Sequence, residues 1–243
     1  MSSNGANGLP PLAPLPDPVH PEITLFERCM TELLRVIGIH LPDVRAGDPA
    51  DLVERRLRRL GLPEQVMLRR RIRLALDERQ QLPEPLFEPL MRAAVYDPNP
   101  SFNRQFVEPA MIAFGPRRVQ EAILGYLTTG TNPERAGAAR AWYWADVLGW
   151  GVEETGAPPE SQAELLDARA DLRTRWIAAA LREFVDNDDL DVRRCLLPGL
   201  PLHPAVHPEE SHGLVAMAVH IARTHPDDYL RHRVEIQVRD DII

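Results

Sequence analysis

The stretch from Asp97 to Asp146 constrains the fold more than any other part of the chain. Phe106, Val107, Ala110, Met111 and Phe114 form one apolar stripe at helical spacing over residues 103–114, and Gly115-Pro116 ends it. Val119, Ile123, Leu124 and Leu127 form a second over residues 117–129. Thr131-Asn132-Pro133 then reads as a cap followed by a proline in the first helical turn, which opens a third helix to about Leu148. A chain punctuated in this way is a string of helices, and each must bury its stripe against another.

The same grammar runs outward from this stretch. Ile23, Phe26, Leu33, Leu34 and Ile37 predict a helix over 21–38, Asp48 caps one over 49–60, and Pro63 opens one to about Gln80. Pro83 and Pro85 open another to Tyr96. The β-branched alternation that marks strands is missing, so the expected class is all-α. Residues 1–20 are rich in proline and lack both a basic start and an apolar block. They are expected to be a disordered tail, not a secretory signal.

Composition removes several functions. All 28 residues counted as Lys+Arg are arginine, so P-loop, Schiff-base and kinase-type lysine chemistry is excluded. The arginine bias fits a GC-rich bacterial genome. A net charge of −8 argues against general nucleic-acid binding. No apolar run approaches the roughly 18 residues of a membrane span. The only two cysteines, Cys29 and Cys195, sit in apolar helical patterns as core residues, which suits a reducing cytoplasm.

Self-similarity appears when residues 117–143 are laid over 174–200, an offset of 57. Val119, Ile123, Leu124 and Leu127 fall on Trp176, Ala180, Leu181 and Phe184, and Asn132 falls on Asp189. The surplus over a common two-helix repeat reads as an insertion at about 149–172. Asp189-Leu190-Asp191-Val192-Arg193-Arg194-Cys195-Leu196-Leu197 resembles the second-helix signature of HEAT repeats. Looser copies begin at Asn132 and at Asp97, and the pair over 208–224 and 226–240 is the weakest. The resemblance implies a short right-handed α-solenoid over 83–243, with additional N-terminal helices over 21–82, that works as a scaffold or adaptor for a protein or peptide. Some HEAT-like proteins are DNA glycosylases. That alternative needs Arg104, Arg140, Arg193 and Arg194 to converge on one face.

Candidate sites follow from residue type and spacing. Trp142-Tyr143-Trp144, with Trp150 nearby, is the chief one. Three consecutive helical residues point about 100° apart, so they cannot share one buried stripe; either the insertion over 149–172 folds over one of them in a packing role, or an aromatic is partly exposed as a binding anchor. Trp142 lies with Ala138, Ala141 and Ala145. Tyr143 lies toward Arg140 and Asp146 and is the aromatic expected outside. Trp142, Tyr143, Trp144, Arg140 and Arg193 are therefore the expected partner-binding residues, the two arginines lying on second helices of the repeats. The arginines over 55–73 read as a solvated face balanced by Glu54, Glu64, Asp77 and Glu78, or else as an anion or nucleic-acid patch. Six of the eight histidines, from His203 to His232, lie in the last 41 residues, but prolines interrupt them and no His-Glu-x-x-His spacing occurs. The His-Glu iron ligands of the HEAT-like deoxyhypusine hydroxylases are also missing. Asp186 to Asp191 would need Gly in place of Asp191 and Glu in place of Leu197 to form a calcium loop, so helix capping is the expected role. No cofactor, metal or catalytic residue is expected.

Overall fold

The helix-breaking residues of the sequence reappear as the joints of the molecule. The computed structural model describes residues 21–38, 64–77, 79, 81–149 and 159–238. The tail expected over 1–20, the helix expected over 49–60, Arg55 to Arg59 and Trp150 lie outside the described residues. Among the described residues there are ten α-helices and no strand. They are α1 (Pro21–Ile37), α2 (Glu64–Asp77), α3 (Phe87–Tyr96), α4 (Arg104–Phe114), α5 (Pro116–Thr129), α6 (Asn132–Gly149), α7 (Pro159–Asp186), α8 (Leu190–Leu196), α9 (His212–Thr224) and α10 (Asp228–Gln237).

Local chemistry sets the joints. Gly115 ends α4 at φ 84°, a backbone conformation that a side chain would strain, and Pro116 starts α5 in the next step. Before α6, Glu134 reaches back to accept from the Thr131 backbone N–H at 2.7 Å and its hydroxyl at 2.8 Å. Asp189 caps α8, its carboxylate accepting from the backbone N–H groups of Asp191 and Val192.

The helices pack in an alternating order. α1 lies on α3, α3 on α5, α5 on α7 and α7 on α9, while α4 lies on α6, α6 on α8 and α8 on α10. Each helix also packs on its partner in sequence, from α1 with α2 to α9 with α10. One apolar cluster runs from Phe26 to Val234. The joints are tied to one another as well. The Tyr96 hydroxyl donates to Glu134 at 2.8 Å, Asn187 donates to the Asn132 side chain at 2.9 Å, and Arg194 pairs with Asp227.

Residues 159–172, expected within an insertion, form the first half of α7, which runs 28 residues. Proline is tolerated at the first helical position, and Pro159 opens this helix. Arg69 is not on a solvated face: it is largely buried and forks onto the fully buried Asp97. Its guanidinium lies 4.7 Å from the Phe26 ring centroid and 5.1 Å from that of Phe102.

Candidate functional site

The site is built on α6, where packing divides the three aromatics. Trp142 is 7% exposed and stacks on Trp176 of α7, with centroids 4.2 Å apart and planes within 2°. Tyr143, one position on, turns outward and is 61% exposed. Trp144 is half-buried between α6 and the loop before α4. Its indole N–H donates to the Pro100 carbonyl at 2.7 Å, and the Arg104 guanidinium lies 5.3 Å from its ring. Arg104 in turn forks onto Glu108, with both bonds at 3.0 Å. The Tyr143 and Trp144 rings meet edge to face, with centroids 5.0 Å apart and planes at 78°. The exposed Val147 lies one turn further along α6.

The patch extends toward α4. Phe102 is 51% exposed and Ile112 73% exposed. A cleft of about 840 Å³ opens between α2 and α4, lined by Leu76, Leu82, Phe102, Arg104, Gln105 and Ile112 among others. Arg104 lines this cleft and also lies beside Trp144. The Gln105 side-chain nitrogen is buried there with no hydrogen-bond partner among the described residues. Sequence reasoning did not find Phe102, Ile112 or the cleft, because α2 and α4 are brought together only by the fold.

The two arginines expected at the site are engaged within the stack. Arg140 is largely buried, 3.2 Å from the Cys195 sulfur and 3.6 Å from Asp191, and so joins α6 to α8. Arg193 donates to the Phe184 carbonyl at 3.2 Å and lies 5.9 Å from that ring centroid, joining α8 to α7. With Arg104 on Glu108 and Arg194 on Asp227, each of the four arginines has a local partner. Cys29 is buried as expected, and burial pushes its thiol up. Cys195 is only partly buried, beside Arg140.

Other candidates have structural roles. The His207 ring contacts the Pro201 carbonyl, the His212 ring contacts the His207 carbonyl, and the His225 ring accepts from the Asp227 backbone. These contacts shape the turns around α9. Among the described residues no group of three or more His, Cys, Asp or Glu could hold a metal ion. Burial pushes the Asp97 carboxyl above its ordinary range, against the pull of Arg69 and the Asn99 N–H. Burial also works to raise Glu134, but the Thr131 and Tyr96 donors outweigh it and hold that carboxyl low. Both groups lie at helix joints. The patch itself offers ring edges, a ring face and a paired guanidinium. No protein-family model matches the chain, and neither a curated protein nor a solved structure matches it.

Proposed function

We propose that the chain is a short right-handed α-solenoid of HEAT-like helix pairs. It acts as a non-enzymatic scaffold that holds a protein or peptide against the surface around Tyr143 and Trp144. The observation that carries this reading is the exposed Tyr143 ring, set edge-on to Trp144, whose ring lies beside the Arg104 that lines the α2–α4 cleft. Rigid aromatics that combine large area with few rotatable bonds are favoured anchors at interfaces. The run of contacts from α4 on α6 to α6 on α8 and from α5 on α7 to α7 on α9, beside a contact of α3 with α6, supports the solenoid part of the reading. The patch lies along α4 and α6, the even layer, which corresponds to the concave second helices of HEAT-like proteins. A DNA-glycosylase-type face receives less support, since each of its four arginines is engaged locally. A cytoplasmic setting suits Cys29 and Cys195, which form no disulfide. Among the described residues no helix is long and apolar enough to cross a membrane.

A photo-activated crosslinking amino acid tests the surface. Placed at position 143 in the source cells, it should trap one discrete partner. Placed at Thr129, exposed at the end of α5, it should not. Equal trapping from both positions, or none from 143, contradicts the reading.

A further inference from the structure

Arg73, on the arginine-rich α2, borders the cleft of about 840 Å³ between α2 and α4. Sites that hold small molecules occupy about 300–1,000 Å³ and are mostly apolar, with a few placed polar groups. This cleft has that make-up. Leu76, Leu82, Phe102 and Ile112 give it an apolar lining. Ile112 is 73% exposed, a large share for a branched aliphatic side chain.

Charge narrows what such a lining can accept. Arg73, Arg79 and Arg104 stand around the cleft with Asp77 and Glu108. Arg104 forks onto Glu108, and Arg73 lies 3.7 Å from Asp77. Arg79 is different. Its guanidinium donates to the Ile37 carbonyl at the end of α1, and among the described residues it has no carboxylate partner. The carbonyl holds the group in place and leaves its charge uncompensated. The local surplus is therefore positive, although the whole chain carries −8. Gln105 lines the same cleft, and its side-chain nitrogen has no hydrogen-bond partner among the described residues. A guanidinium matches a carboxylate in both charge and planar geometry. We infer that the α2–α4 cleft binds a small carboxylic acid with an apolar body. Its carboxylate pairs with Arg79, and its body lies against Leu76, Leu82 and Ile112. Binding there does not depend on a partner at Tyr143.

The test titrates the full chain, carrying ¹³C-labelled isoleucine methyl groups, with 4-phenylbutyrate. The Ile112 signal is identified by its loss in Ile112→Val. 4-Phenylbutyrate should shift that signal saturably. 4-Phenylbutyramide, of the same shape without the charge, should need about ten times the concentration or more. Arg79→Gln should bind the acid no better than the amide, whereas Arg79→Lys, which keeps the charge, should retain much of the preference. An Ile112 signal that neither compound moves overturns the inference. Equal binding of acid and amide by wild type also overturns it, since apolar contact alone would then account for the shift. So does a preference for the acid that survives Arg79→Gln. If Arg79→Gln does not fold, salt takes its place: the preference of wild type for the acid should shrink between about 0.05 and 0.5 M NaCl, and a preference unmoved by salt overturns the inference.

Discussion

A methyl group at position 137 has nowhere to go. An ideal Cβ there would lie 1.9 Å from the Val95 carbonyl oxygen, where α6 crosses α3. Gly137→Ala should therefore destabilise the protein by about 3 kcal/mol, read by denaturant unfolding. Gly125 is the control: nothing lies within 4 Å of its Cβ position on α5, so Gly125→Ala should gain about 0.5–1 kcal/mol. The aromatics give the second contrast. Trp142→Ala should cost about 3–5 kcal/mol, and Tyr143→Ala within about 0.5 kcal/mol. A silent Trp142→Ala with an unfolding Tyr143→Ala would mean that α6 faces the other way. Titration gives a third. Burial, then the bond to Glu134, pushes the Tyr96 hydroxyl up from 10.0 to about 12. The fold thus favours neutral Tyr96. Its contribution should be intact below pH 10 and lost as pH climbs through about 12. Melting temperatures between pH 9 and 12 should fall less steeply in Tyr96→Phe than in wild type. At this scale the division of Trp142 from Tyr143 was legible, because 100° steps on a helix with alanines at 138, 141 and 145 leave one buried stripe. The fate of Trp144 was not, since its partner, Pro100, is 44 residues away.

Helix joints were the most legible elements, because capping depends on neighbours in sequence. Thr131 with Glu134 and Asp189 with its two N–H donors stand where the residues place them. Thr131→Ala and Asp189→Ala should each cost about 1 kcal/mol in denaturant unfolding. Asp97 behaves differently although it too stands at a joint. Its partner, Arg69, comes from α2, and both side chains are largely or wholly buried. Asp97→Ala leaves Arg69 in the core without its carboxylate and should cost about 3–5 kcal/mol. A cost near 1 kcal/mol would show that solvent reaches Arg69. The sequence pattern placed Arg69 among solvated arginines because charge balance along one helix cannot reveal a partner 28 residues on. The start of α7 was hidden for a local reason, since adjacent prolines at 158 and 159 read equally as a break and as a first turn.

Across the whole molecule, the all-α class followed from periodicity, while the surface depended on which helices meet. The α2–α4 cleft, the placement of Arg104 between Glu108 and Trp144, and the inward turn of Arg140 and Arg193 all join segments distant in sequence. Stability is expected to rest on Trp142, Gly137 and the joints, and the proposed partner binding on Tyr143 and its surroundings. The most direct test is quantitative affinity capture from the source cells with wild type, Tyr143→Ala and Thr129→Ala, after confirming that all three melt within a degree or two of each other. Wild type and Thr129→Ala should retain the same partner, and Tyr143→Ala should retain at most about a tenth as much, as expected for an anchor worth about 1.4 kcal/mol or more. Equal retention by all three folded proteins would contradict the assignment of this surface.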